Sequence, residues 1–391
     1  MRKNTVRWCG GATVRRLLRD ERGMSFIFVG LGFMAFLAAT TLAIDVGMFM
    51  TARSQSQNAA DAGALAGATA LAFDSFDDRS TGGPAVQSAV NTSVANNVIG
   101  APPSTVPADV TFPVGPTGAN RVKVNVFRSA PRANAIPTLM GTLFGVPTVD
   151  VSATATAEAS PANAMTCVKP FTIPDRWIEN HNPPWTTSST FDRYDNKGNV
   201  IPNADVYIPA GQPGYVGYNS STDKGLELTI RAGTGNNIDP TMYFSWSMPS
   251  NIGADDYRGN IGGCNTSLIH FGDPETQEPG DMTGPTNQGI DDLIAQDPAA
   301  FWDTTLNQVH STLNPSPRVF PIPLFDPDYY QSGKVNGRNA TLRVANWIGF
   351  FVESRSGNQV TGRITPILGV IDNNAGPAPA GTFPVAIRLV Q

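Results

Sequence analysis

The chain has 391 residues and a formal net charge of −5. At one domain per ~150 residues, that length leaves room for two folded units beside an anchor; the 38 Gly and 32 Pro stay short of a disordered composition. The charge is unevenly divided: residues 1–22 hold seven Lys/Arg against Asp20 and Glu21, leaving twenty basic against thirty acidic side chains in the remainder, a balance that argues against a nucleic-acid partner.

Residues 24–44 (MSFIFVGLGFMAFLAATTLAI) contain no charge. A helix of that length spans about 31 Å, enough to cross a bilayer core. Basic residues immediately before a span hold that end in the cytoplasm, so the part beyond is expected outside a bacterial-type cytoplasmic (inner) membrane, as a single-pass, N-in protein with a periplasmic or extracytoplasmic bulk. Thr41-Leu42-Ala43 offers small residues for cleavage of a secretory signal, but the long basic leader and long run favour a retained anchor. No proline interrupts the segment to Phe73, and alanine is abundant, so helix is expected from about Met24 to about Phe73, near 75 Å long. Its outer half carries small residues: Ala59, Ala60, Ala62, Gly63, Ala64, Ala66, Gly67 and Ala68. Such a surface lets helix backbones approach closely. Two occupants fit it, the chain's own domain or another subunit.

Residues 74–83 read as a polar turn. Pro84 suits a helix first turn, and Val86, Val90, Val94 and Val98 form an apolar stripe behind it. VTFPV (110–114) and RVKVNVF (121–127), joined by GPTGAN, read as strands of period two, IPTLMGTLF (136–144) as a short helix, and VDVSATATAEA (149–159) as a third strand. Residues 74–160 therefore read as a small α+β module, and SPANAM (160–165) as a linker. Beyond it, Pro, Gly, Asn and aromatic residues recur, with short strand candidates at VYIPA, GLELTIRA, MYFSWSM and SLIHF. The clearest signal is the hairpin LRVANWIGFFVES (342–354) and QVTGRITPILGVI (359–371) joined by RSGN. One helix is expected at 289–306, with acidic residues in its first turn and Pro298 as a break. The expected fold class is α+β: a basic cytoplasmic tail (1–22), a transmembrane and stalk helix (23–73), the small α+β module (74–160) and a mostly-β extracytoplasmic domain (161–391).

The N-terminal segment resembles the Tad (tight adherence, Flp pilus-assembly) TadE/TadG-like family. The resemblance rests on Arg22-Gly23 before the span, Ile44-Asp45-Val46-Gly47 at its end, Phe49, Ala52-Arg53, Gln57, and the run from Ala59 to Ala68. It implies a membrane protein of the pilus-assembly machinery with a pilin-like helix, pilus-assembly or pilin-like partners, and no enzymatic activity. Type IV-like prepilins place a glutamate five residues after the cleavage glycine; here that position is Phe28. The von Willebrand-type metal loop common in TadG-like proteins does not occur.

The resulting candidates are few. Asp45, Ala60, Gly63, Ala64 and Gly67 form a partner-helix face; for Asp45, pairing with a partner helix competes with a boundary position facing interfacial water. Cys9 lies in the reduced compartment, whereas Cys167 and Cys264 lie in the oxidising one, where a disulfide competes with two buried thiols. His181, His270 and His310 lack zinc spacing. Asp273, Glu275, Glu278 and Asp281 offer a cation site but lack calcium-loop spacing, which favours a solvated loop. Trp177, Trp185, Trp246, Trp302 and Trp347 offer a sugar-stacking surface, against the plainer reading of a core. No nucleophile elbow or phosphate loop occurs. No catalytic residue, cofactor or metal is expected, and the favoured function is a membrane-anchored, minor-pilin-like assembly component of a Tad-type pilus. A membrane-anchored binding module for a cell-wall or carbohydrate ligand is the alternative.

Overall fold

A computed structural model describes residues 22–74, 77–115, 120–233, 237–249, 252–313, 315–335 and 342–390. The basic tail before Arg22, with Cys9, and most of the GPTGAN connection lie outside the described residues. The chain forms two compact units, Met1–Glu158 with Leu389–Gln391, and Ala159–Arg388.

In the first unit, helix α1 (Arg22–Phe73) runs unbroken for 52 residues, about 78 Å at 1.5 Å per residue. Large apolar side chains from Phe26 to Ile44 are exposed around it. From Ala52 onward one face is buried, at Ala52, Ser56, Ala59, Ala60, Gly63, Ala64, Gly67, Ala68 and Leu71. These steps of three and four are one face of a helix. Helix α2 (Pro84–Ala95) opens on Pro84 and folds back antiparallel on α1, burying Ala85, Val86, Ala89 and Ser93. The expected stripe at four-residue spacing is thus only partly the packed one, with Val90 and Val94 half-buried. A step of four advances 40° around a helix, so such a stripe drifts off one face, and the small side chains set the contact instead.

Strands β1 (Val110–Thr111), β2 (Arg121–Arg128) and β5 (Val151–Pro161) form an antiparallel sheet with β2 central. The β2–β5 ladder runs from Arg121↔Glu158 to Arg128↔Val151. Val122, Val124 and Val126 alternate inward, joined by Ala153, Ala155 and Ala157. The helix expected at 136–144 is absent. Strands β3 (Ile136–Pro137) and β4 (Thr148–Val149) pair instead, around a 3-10 turn at Gly141–Phe144. Pro137, Gly141, Gly145 and Pro147 leave too short a stretch for an α-helix to nucleate.

The second unit holds β6 (Ala164–Met165), β7 (Phe171–Pro174), β8 (Glu227–Ala232), β9 (Met242–Ser245), α3 (Ala254–Gly262), β10 (Ile269–His270), β11 (Pro274–Glu275), α4 (Thr283–Gln296), β12 (Phe301–Asp303), β13 (Gln308–His310), β14 (Val319–Phe325), α5 (Pro327–Val335), β15 (Leu342–Ser356), β16 (Gln359–Thr365) and β17 (Val385–Val390), whose last residues count with the first unit. The order β15-β14-β7-β9-β8-β16, with β16 pairing back to β15, closes a six-stranded barrel, and β11 extends the β16 side of β15. Alternate residues fill it: Leu228 and Ile230, Phe320, Ile322 and Leu324, Ile348, Phe350 and Val352, Val360 and Ile364. Gly362 holds the inward position between Val360 and Ile364 because the Phe350 ring occupies it; a Cβ there would lie 2.6 Å from Phe350 Cζ.

The hairpin read at 342–371 is β15–β16, turned at Gly357, whose φ is 58°. The helix expected at 289–306 is displaced: α4 starts at Thr283 and ends at Gln296 before Pro298, and 301–303 pair with 308–310. Its acidic pair therefore sits beyond the first turn and serves cross-links, Asp292 to Arg258 and Asp291 to Arg355. Strand β14 is unexpected, since Pro321 and Pro323 argue against an interior strand. Residues two apart present their backbone to the same side, and that side faces β7, where β14 pairs only through Leu324 and Phe325.

Candidate functional site

The features that bear on function lie along α1. Its uncovered apolar section ends at Asp45, which is only 3% exposed. The Asp45 carboxylate accepts the backbone N–H groups of Leu139, Met140 and Gly141 at 2.9, 2.9 and 3.1 Å. These amides open the 3-10 turn between β3 and β4, where N–H groups point one way without intrahelical acceptors. A carboxylate only accepts, so it satisfies all three. The Asp45 carboxylate is thus buried against the chain's own loop, whose amides satisfy its charge, a partner that neither sequence reading named.

The rest of the proposed partner-helix face is also occupied from within. A Cβ on Gly63 would lie 1.9 Å from Ser93 Oγ and 2.9 Å from the Ala89 carbonyl; one on Gly67 would lie 2.8 Å from Val122 Cγ1 and 3.0 Å from Ala89 Cβ. Ala60 and Ala64 are fully buried. The small residues thus form a seam against α2 and β2, which is the intramolecular one of the two occupants considered. Gln55 Oε1 extends the seam toward the bare apolar section of α1 by accepting Ile99 N–H at 2.7 Å, and Ala52, Val98 and Ile136 pack together beyond it. The face left open on this half of α1 carries Thr51, Arg53, Ser54 and Asn58. Sequence reasoning missed Ser93, Ala89 and the amides of 139–141; the Ala85/Ala89/Ser93 spacing was the one available signal.

In the second unit Cys167 and Cys264 form a disulfide closing 97 residues. The acidic stretch does not gather around a centre. Asp273 accepts His270 N–H, Asp281 accepts Thr283 N–H at the start of α4, and Glu278 accepts Gly253 N–H and the Ser247 hydroxyl. Glu275 is buried with neither carboxylate oxygen hydrogen-bonded; the neighbouring Thr172 hydroxyl donates to Pro323 O at 3.0 Å. Burial pushes its carboxyl up to about 8. Asp175 is buried too, but it accepts Tyr207 and Tyr215 hydroxyls and the N–H groups of Tyr218 and Arg176 at 2.8–3.0 Å. Burial raises its carboxyl to about 6 against these bonds.

Trp177, Trp246, Trp302 and Trp347 are buried in the unit's cores, and Trp185 packs edge-on against Trp177 and Tyr218. They form cores, not a stacking surface. His270 pairs with Asp372 at 3.0 Å. Among the described residues no three His, Cys, Asp or Glu side chains are placed to hold a metal ion.

Residues 23–70 match the family model of putative Flp pilus-assembly TadE/G-like proteins. The matched stretch takes in the uncovered apolar section of α1, Asp45 and nearly all of the seam, and relates this part of the chain to pilus assembly. No curated protein matches the chain. No solved structure matches it.

Proposed function

We propose that this chain is a membrane-anchored structural component of a Tad/Flp-type pilus, acting as a minor-pilin-like partner in assembly. The observation that carries this reading is the coincidence of the family match at 23–70 with a single helix whose apolar section is bare and whose outer half is the spine of a small module. A bare section of about 30 Å matches a bilayer core. The basic excess before it sets the N-terminus in the cytoplasm, with the part of the chain beyond the span on the opposite side. There the compartment suits the Cys167–Cys264 disulfide. The chain's division into 23–73, 74–160 and 161–391 then reads as anchor and spine, spine-packed module, and outer β-domain. The partner surface is the open face at Thr51, Arg53, Ser54 and Asn58, since the small-residue face is filled.

Deletion of the gene should abolish or reduce surface piliation, restored by the full chain. A photo-crosslinking residue at Ser54 or Asn58 should capture pilus-assembly proteins. Alkaline phosphatase should be active when fused after residue 160 and inactive within residues 1–20. Normal piliation in the deletion strain would overturn the assembly role, and the reverse fusion pattern would overturn the topology.

A further inference from the structure

The loop between β3 and β4 is uncharged and partly apolar at the surface. Residues 138–147 read TLMGTLFGVP, and no charged residue occurs between Arg132 and Asp150. The two flanking charges are engaged: Arg132 pairs bidentately with Asp109 at 2.7 and 2.9 Å, and Asp150 accepts Ala130 N–H. The loop is closed on itself, with Thr138 N–H donating to Pro147 O at 3.0 Å, the Thr138 hydroxyl to Val146 O at 2.6 Å, and Val146 N–H to Gly141 O at 2.7 Å. With its backbone so satisfied, it still leaves Leu139 64% and Val146 48% exposed. Exposed large apolar side chains on a tight, uncharged loop mark a surface made for an apolar medium.

The position of the loop identifies that medium. Three of its amides are held by Asp45, the first residue after the uncharged run of α1. Ile44, Val46 and Met50 of the helix are themselves exposed around that point. The loop is therefore continuous with the helix section that the preceding reading places in the bilayer, and this inference rests on that reading.

We propose that the 138–147 loop is a second membrane contact, a shallow insertion into the boundary between headgroups and acyl chains, and that Asp45 is its positioning residue. The carboxylate collects three backbone donors that lipid leaves unsatisfied, and the same bonds hold Leu139 and Val146 at the depth where the span ends. The helix is thereby braced at its membrane exit, which fixes the angle at which the module leaves the surface. Because the loop carries no cation, the occupant is the apolar part of the bilayer and not an anionic headgroup.

The test uses the full chain with Cys9→Ser, disulfide intact, in phosphatidylcholine vesicles. A nitroxide is placed through Leu139→Cys, Val146→Cys, Phe33→Cys or Asn58→Cys, and collision with oxygen is compared with collision with a water-soluble nickel chelate. Labels at 139 and 146 should favour oxygen, less strongly than the label at 33, while the label at 58 favours the chelate. Adding phosphatidylglycerol should change nothing. Asp45→Ala should shift the label at 139 toward the chelate while the label at 33 stays deep. A deep label at 33 with chelate-accessible labels at 139 and 146 would overturn the inference and leave the anchor intact. A chelate-accessible label at 33 would overturn both. A label at 139 indifferent to Asp45→Ala, or moved deeper by anionic lipid, would overturn the assigned role of Asp45 or of apolar contact.

Discussion

Gly63→Leu is the sharpest test of the seam, with Gly47→Leu as its control on the same helix. A Cβ on Gly63 meets Ser93 Oγ at 1.9 Å and the Ala89 carbonyl at 2.9 Å, whereas one on Gly47 meets nothing within 4 Å. Both changes gain up to about 1 kcal/mol of helix propensity. Ser93 can rotate away, but the Ala89 carbonyl moves only with α2, and Leu adds three further carbons. Overpacking a filled site costs about 1–3 kcal/mol, and this site should lie at or above the upper end. The net loss at Gly63 is then about 2 kcal/mol, a factor of roughly 30 in the opening equilibrium, while Gly47→Leu should be neutral or slightly stabilising. Hydrogen exchange on the full chain in micelles reads the difference: amides of 84–95 should exchange roughly 30-fold faster in Gly63→Leu, with 342–365 unchanged. Wild-type protection of 84–95 in Gly63→Leu would refute the claim that this face is filled from within and return it to a foreign partner.

Three further outcomes follow from the second unit. The Glu275 carboxyl, raised by burial from 4.5 to about 8, is a group whose folded state holds the proton more tightly than the unfolded one, so its contribution is fully present below pH 4.5 and is lost as pH rises through about 8; at 1.36 kcal/mol per unit this is on the order of 4–5 kcal/mol as an upper bound. Urea unfolding followed by Trp fluorescence should show Glu275→Gln flattening the decline in stability between pH 5 and 9 relative to wild type, and equal slopes would refute it. Asp175, raised to about 6, adds a decline of the same sign that both proteins share. Cys264→Ser should lower the stability of the second unit by about 4 kcal/mol on the chain-entropy account of a 97-residue loop; an unchanged urea midpoint under reductant would count against it. Arg318 donates from a buried guanidinium to the carbonyls of Val352, Asp297, Ala300 and Glu353 at 2.7–3.0 Å. Arg318→Met strands these acceptors, so it should cost about 3 kcal/mol or more, read as a lower melting temperature, and a neutral effect would refute the bracing role.

Much of this architecture was legible without coordinates because it is local. An uncharged run of 21 residues and an unbroken alanine-rich stretch specify a helix and a candidate span whatever surrounds them, and α1 follows that reading to its ends. Period-two alternation marked β2 and β5, and a Gly-Asn turn between apolar runs marked β15–β16. The Tad-like pattern, being contiguous, was also open to reading, and the family match coincides with it. What tertiary structure decided is which surfaces meet. Small residues announce close approach but carry no address, so only the fold shows Gly63 and Gly67 filled by Ser93, Ala89 and Val122. Asp45 finds its donors 94 to 96 positions away, in backbone amides, and backbone groups leave no signature in a sequence. Pro321 and Pro323 were permitted in β14 by a sparse neighbour on one side. Barrel closure through β15 and β16 likewise depends on non-local pairing. Local propensity is written residue by residue, whereas burial and hydrogen-bond partners are set by distant segments competing for the same surface, and that competition is settled only when the chain folds.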